Sequence, residues 1–208
     1  MNCYEKWSIG TNIFIAIGTI SSVLAAIFGE KIRYWFNKPK LSIEILDAKG
    51  ELTRWNNGVR VYYYHLVFKN LKPGRTIKKC SVFLKKMQRL EFDGNFIDIS
   101  ISVPPRYIWA PAEKERESLN IISEQVLDFG YLTEHYNTQQ PNYFVPCLES
   151  QPNNLNVLVF EKETVRYHLE VISENYTQKR LIIVEFSWNG EWNENIDEMQ
   201  KNFSYKIV

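Results

Sequence analysis

Residues Ile9 to Phe28, twenty in a row without a charge, constrain this 208-residue chain more than any other feature. As a helix rising about 1.5 Å per residue, such a stretch is about 30 Å long, the thickness of a bilayer's hydrocarbon core. Half of it is Ile, Val, Leu or Phe, and the rest is small or weakly polar, including Thr11, Asn12, Thr19, Ser21 and Ser22. Tyr4 and Trp7 precede it, and Tyr34, Trp35 and Phe36 follow it, in the manner of interfacial aromatic belts. Lys31, Arg33, Lys38 and Lys40 lie just beyond it against Glu30 alone. That asymmetry places the C-terminal side in the cytoplasm. A cleaved signal peptide, with Val23-Leu24-Ala25 as a weak site, fits less well. The apolar run is long, the residues before it are scarcely basic, and a basic-aromatic stop follows at once. The expected organisation is a short segment 1–8, a transmembrane helix 9–28, a basic-aromatic linker 29–40 and one domain, 41–208.

Within the helix, Gly18, Ser22 and Ala26 recur at a spacing of four and give one face a small-xxx-small pattern. Small residues let backbones approach, so this face is a candidate for self-association into a homo-oligomer, although such residues are also simply common in membrane helices.

After Pro39 the pattern changes to period two. Leu41, Ile43 and Ile45 alternate with Ser42 and Glu44. The turn Asn56-Asn57-Gly58 leads into a β-forming run, Val59 to Phe68, and Lys72-Pro73-Gly74 is the next turn. Cys80, Val82 and Leu84 alternate, as do Ile97, Ile99, Ile101 and Val103. Further strands are expected near 118–123, 125–131, 155–160, 164–173 and 179–188. Only Asn193 to Lys201 reads as a helix, with Asn193 as its N-cap. Residues 132–154 read as a long loop, either functional or mobile. Many short strands with regular turns predict an all-β domain, a sandwich or alternatively a barrel. The missing strand–helix–strand alternation excludes a nucleotide-binding α/β fold.

No catalytic motif is present. Cys3, Cys80 and Cys147 are odd in number and widely spaced, which argues against disulfides and structural zinc and suits a reducing compartment; Cys80 reads as a buried small hydrophobe. His65, His135 and His168 have no metal-ligand spacing, and His65 and His168 fall within strand patterns. No metal, cofactor or catalytic residue is therefore expected, and an enzyme, such as a membrane-tethered hydrolase, is the minority reading. The unusual feature is electrostatic. From Arg54 to Leu90 there are ten cations and no carboxylate, while the domain as a whole is close to neutral. Arg54, Arg60, Lys69, Lys72, Arg75, Lys78 and Lys79 lie around one expected hairpin and its turns. With Trp55, Tyr62, Tyr64 and Phe68 nearby, they are candidates to bind a phosphate-bearing ligand or anionic lipid. The competing reading is that acidic strands pair with them as solvated ion pairs. On a regular strand Lys78 and Lys79 must point to opposite faces, as must Lys85 and Lys86. A net charge of +1 argues against general affinity for long nucleic acid.

The segment Phe186-Ser187-Trp188-Asn189-Gly190-Glu191-Trp192 with Glu198-Met199, the Lys38-Pro39-Lys40-Leu41 junction and the Tyr62-to-Asn70 strand together resemble a family of uncharacterised bacterial proteins with one N-terminal membrane helix and a β domain. In architecture the chain is similar to membrane effectors of bacterial antiviral, CBASS-type systems, which join membrane helices to a nucleotide-sensing β-barrel. The resemblance implies a single-pass protein of the bacterial inner membrane with a cytosolic sensor or effector domain, a role in antiviral defence, and the bilayer, itself, another protein or a phosphate-bearing ligand as partners. A structural subunit of a membrane complex is the alternative. The tryptophans around Asn189-Gly190 read as the packing of a turn.

Overall fold

Alternation becomes strand where its apolar half can face a partner sheet, and this governs almost everything after Pro39. The structure, a computed structural model, describes residues 3–36, 38–111, 118–134, 144–150 and 162–208. It divides into two compact units, Met1–Lys38 and Pro39–Val208.

The first unit is helix α1, Cys3–Phe36. Its stretch Thr11–Gly29 is long and apolar enough to cross a membrane. Phe14, Ile20 and Ile27 are exposed along it, an apolar surface that needs lipid or another helix to cover it. Thr11, Thr19 and Ser22 donate their hydroxyls to the carbonyls four residues back, Trp7, Ile15 and Gly18, at 2.9, 2.9 and 2.8 Å. These polar side chains therefore satisfy themselves within the helix.

The second unit contains β1 (Leu41–Ile45), β2 (Glu51–Arg54), β3 (Arg60–Asn70), β4 (Ile77–Leu90), β5 (Phe96–Ile99), β6 (Leu119–Ile121), β7 (Glu124–Thr133), β8 (Phe144–Pro146), β9 (Thr164–Ile172), β10 (Ile182–Trp188), α2 (Ile196–Asn202) and β11 (Phe203–Ile207). One antiparallel sheet has the order β1-β3-β7-β8, with β2 also on β3; the other has the order β11-β10-β9-β4-β5, with β6 also on β4. Their inner faces share a single core: Tyr62, Tyr64, Leu66 and Phe68 of β3 belong to the same cluster as Leu84, Tyr167, Val184 and Phe186 of the second sheet. Aromatic rings join the layers. Tyr64 lies 4.3 Å from Phe203, Phe144 4.6 Å from Phe186 and Phe129 5.8 Å from Tyr167, centroid to centroid. Two facing antiparallel sheets on a common core are the layout of a sandwich. Gly130 is required here, because a Cβ on it would lie 2.2 Å from the Phe144 ring.

Several sequence expectations need correction. Helix α2 is capped by Asn195, whose side chain accepts from the amides of Asp197 and Glu198; Asn193 sits before it and accepts from the Asn195 amide. The alternation from Ile97 to Val103 yields strand only as far as Ile99, and Val103 is exposed. Strands β2, β8 and β11 were not legible. The expected loop 132–154 begins inside β7 and contains β8, whose Phe144 is fully buried. Tyr62, Tyr64 and Phe68 are core residues and present no face for stacking a ligand. The expected strand at 155–160 and His135 lie outside the described residues.

Candidate functional site

The basic run from Arg54 to Leu90 is one block in sequence, but the fold divides it between opposite ends of the β domain. The tether end is where Pro39 leads into β1, and β1 begins beside the end of β3, with Leu41 opposite Asn70. The distal end is where β3 begins, with Arg54 opposite Arg60 across the β2–β3 turn.

At the distal end Arg60 reaches two carboxylates. Its Nε donates to Glu134 at 2.6 Å, a second bond joins the same carboxylate, and its other arm pairs with Glu194. These hydrogen bonds hold the Arg60 guanidinium pKa above its ordinary value and pull that of Glu194 down, with Arg54 adding to the latter. Arg54 and Arg60 thus face acidic groups that are distant in sequence.

Lys69, Lys72, Arg75, Lys78 and Lys79 come together at the tether end. Lys69 pairs with Glu44 at 2.6 Å and Lys79 with Glu174 at 2.5 Å. Those bonds hold both carboxylates below their ordinary pKa. Lys78 and Lys79 are both exposed, and the strand that carries them is not regular. The pairing of β4 with β6 slips between Ile77 and Cys80, and Lys79 takes a positive φ of 47°. Such a bulge puts an extra residue into one strand and breaks the period of two. A second slip between Leu84 and Lys86 lets Lys85 and Lys86 reach Glu170 and Asp98 at 3.2 and 2.9 Å.

Two asparagines that the sequence reading passed over organise this end. The Asn70 amide donates to the carbonyls of Arg75 and Ile122 at 2.6 and 3.1 Å, and its oxygen accepts from the Lys72 amide. Asn175 accepts from the Lys78 amide at 2.9 Å and donates to the Thr76 carbonyl at 2.8 Å. The loops after β3, β6 and β9 are thereby stitched into one surface. An Asn two residues before the Lys72 of a Lys-Pro-Gly turn was the available signal, since Asn side chains bond the backbone two residues on.

A cleft of about 750 Å³ opens at the distal end, between the β4–β5 turn and the α2–β11 junction. Such a volume is in the range of small-molecule sites. Lys162 and Lys201 line it, with Arg89 held by Glu163 at 3.0 Å and Lys201 by Glu198 at 2.7 Å. On its wall the Thr164 and Ser187 hydroxyls are 2.8 Å apart, and Asn189 donates to Asn202 at 2.9 Å. Phe92, fully exposed at the turn, and Trp188, 3 % exposed, also line it. The Asn189-Gly190 turn falls here: Asn189 accepts from the Glu191 amide at 2.8 Å, Gly190 takes a φ of 87°, and Trp192 packs 5.0 Å from Tyr62. The lining sets three cations, Arg89, Lys162 and Lys201, and several hydroxyl and amide groups against two carboxylates, Glu91 and Glu163, and neither histidine nor cysteine is among its described residues. The Thr164 and Ser187 hydroxyls bond each other, and the Glu163 carboxylate beside them is held by Arg89.

Of the described histidines and cysteines, His65 and His168 lie within strands and Cys80 and Cys147 are free thiols. His65 Nδ1 lies 3.0 Å from Asp128 on the outer face of β3 and β7, and Tyr63 stacks on its ring. His168 Nε2 is 2.7 Å from the Gln88 oxygen, and the Gln88 amide donates to Asp98. The Gln88 oxygen is therefore the acceptor, and Nε2 carries the His168 proton. Burial, then the charges of Lys86 and Arg166, lower the pKa of His168. Cys80 is buried and its thiol is pushed up to about 12; burial also raises that of Cys147. Neither is a thiolate at neutral pH. Among the described residues no three His, Cys, Asp or Glu side chains gather to hold a metal. On α1, Gly18, Ser22 and Ala26 are exposed along one helix face.

No family model matches the chain, and no curated protein or solved structure is similar enough to it to count as a match.

Proposed function

We propose that this chain is a single-pass, non-enzymatic binding protein of the bacterial inner membrane. In this reading α1 is the anchor and the β-sandwich domain is a cytosolic sensor or effector. The distal cleft carries the proposal. It combines two lysines, several hydroxyl and amide donors and an aromatic wall in a volume suited to a small ligand. An anionic, phosphate-bearing ligand is the chemistry such a lining favours. The basic flank after residue 28 supports the cytosolic orientation. Self-association of α1 through Gly18, Ser22 and Ala26 would let occupancy of the cleft be transmitted through the membrane.

Trp188, one of six tryptophans in the chain, supplies a readout. Titration of the detergent-solubilised full chain with inorganic phosphate and adenosine monophosphate should change tryptophan fluorescence saturably. Lys162→Glu with Lys201→Glu should weaken the response at least tenfold without moving the thermal midpoint. A response unchanged by both substitutions removes the cleft as the site. Strong activity of a periplasm-specific reporter fused after Val208 would refute the cytosolic orientation.

A further inference from the structure

We propose that the tether end of the β domain docks on an anionic lipid surface. This inference rests on the anchored reading above and is independent of the distal cleft. The chain from Glu30 to Lys38 separates the apolar stretch from Pro39, which is buried at the start of the domain. Even fully extended, that length of chain reaches only about 30 Å. In the anchored reading that length is the upper limit on how far the start of the domain lies from the apolar stretch.

Its composition fits such a neighbour. The three stitched loops and the strand end beside them expose Leu71, Ile122 and Ile172, at 55 %, 67 % and 51 %. Lys40, Arg75, Lys78, Lys179 and Arg180 are exposed at the same end. Among the described residues there, Glu44 and Glu174 hold Lys69 and Lys79 and Glu124 stands near Lys69, so the cations outnumber the carboxylates. Beside Lys179 and Arg180 the β9–β10 loop forms a groove of about 450 Å³, which Ile172 and Tyr176 also line. Exposed aliphatic tips set among cations match the boundary between headgroup phosphates and acyl chains, where apolar groups enter and Lys or Arg meet anionic lipid. A purely soluble anion would gain nothing from the aliphatic tips.

The test is hydrogen exchange on the full chain reconstituted in phosphatidylcholine vesicles and in vesicles where phosphatidylglycerol replaces part of the phosphatidylcholine. Amides of 71–76 and 173–181 should exchange several-fold more slowly on the anionic vesicles. The difference should vanish at high salt, because exposed charges are screened within about 8 Å at physiological ionic strength and less beyond it. It should also vanish in the variant Lys78→Glu, Lys179→Glu, Arg180→Glu; the salt titration of the unaltered chain decides the matter if that variant misfolds. Equal exchange on both lipids, or protection that survives salt, overturns the docking surface. Flotation separates the two readings. A chain that floats with neutral vesicles but shows no charge-dependent protection keeps its anchor and loses the docking. One that floats only with anionic vesicles loses the anchor and keeps the docking, and one that floats with neither loses both.

Discussion

At the distal end, Arg60 is clasped between Glu134 and Glu194, and its side chain is only 22 % exposed. At the tether end, Lys78, Lys179 and Arg180 stand on exposed loop and bulge positions. Similar cations thus have different surroundings. The half-buried Arg60–Glu134 pair contributes to holding strands together, because removing one partner leaves the other desolvated and uncompensated, whereas Glu194 is 60 % exposed. Cations on an exposed loop contribute little to folding, since surface charges are solvated and screened. What they contribute is a long-range positive potential. The difference teaches that a charge run in sequence is not a site: its location relative to strand ends decides which cations pair inward and which face a partner.

The comparison breaks first in the core that joins the two ends. Phe144→Ala removes a ring that contacts rings of both sheets. A buried Phe→Ala change costs about 3–5 kcal/mol. Chemical denaturation should show one shifted midpoint, with the phosphate response of the distal cleft and the lipid protection of the tether end lost together. If one survives without the other, the domain is not one cooperative unit.

Arg60→Glu sharpens the contrast between the ends. It places a third carboxylate among Glu134 and Glu194, so the melting temperature should fall clearly more than in Lys79→Glu, whose partner Glu174 is itself exposed. Lipid dependence should stay as in the unaltered chain. Equal thermal shifts for the two variants would mean that the distal clasp is no stronger than a surface pair.

The smallest effect is on pH, and it should belong to neither end. His168 lies mid-strand, with its pKa held below 6.5 by burial and neighbouring cations. The folded state therefore binds fewer protons than the unfolded chain just below pH 6.5. This contribution is fully present above pH 6.5 and is lost as pH falls through the depressed value. His168→Gln should flatten the stability profile in that window. Below it, carboxylates held down by cations at both ends, Glu44, Glu174 and Glu194 among them, should protonate and weaken both ends in the usual acid range. A profile unchanged in His168→Gln would show that its ring titrates equally in both states.

The candidate site was less legible than the fold. Lys162 and Lys201 gave no signal as cleft residues, because they lie outside the basic run and meet only through the turn at Asn189-Gly190 and the packing of α2 against β11. Phe144 sits among Asn, Pro and Tyr, where three strand residues are too few for periodicity to register. The bulges at Lys79 and after Leu84 erased the alternation that the sequence rule relied on.

Local pattern by itself determined the long apolar helix, its basic flank, the alternating strands β1, β3, β7, β9 and β10 and the turn at Gly58. Each of these follows from spacing within a few residues, and hydrophobic period and turn chemistry are properties of the local chain. Tertiary structure alone decided which cations meet which carboxylates, since the partners of Arg60 lie 74 residues away at Glu134 and still further at Glu194. It also decided that five of the seven candidate cations share an end with the start of the domain. Strand pairing, not composition, sets where a side chain stands, and an antiparallel register fixed by a buried face carries a residue to one end of a sheet or the other.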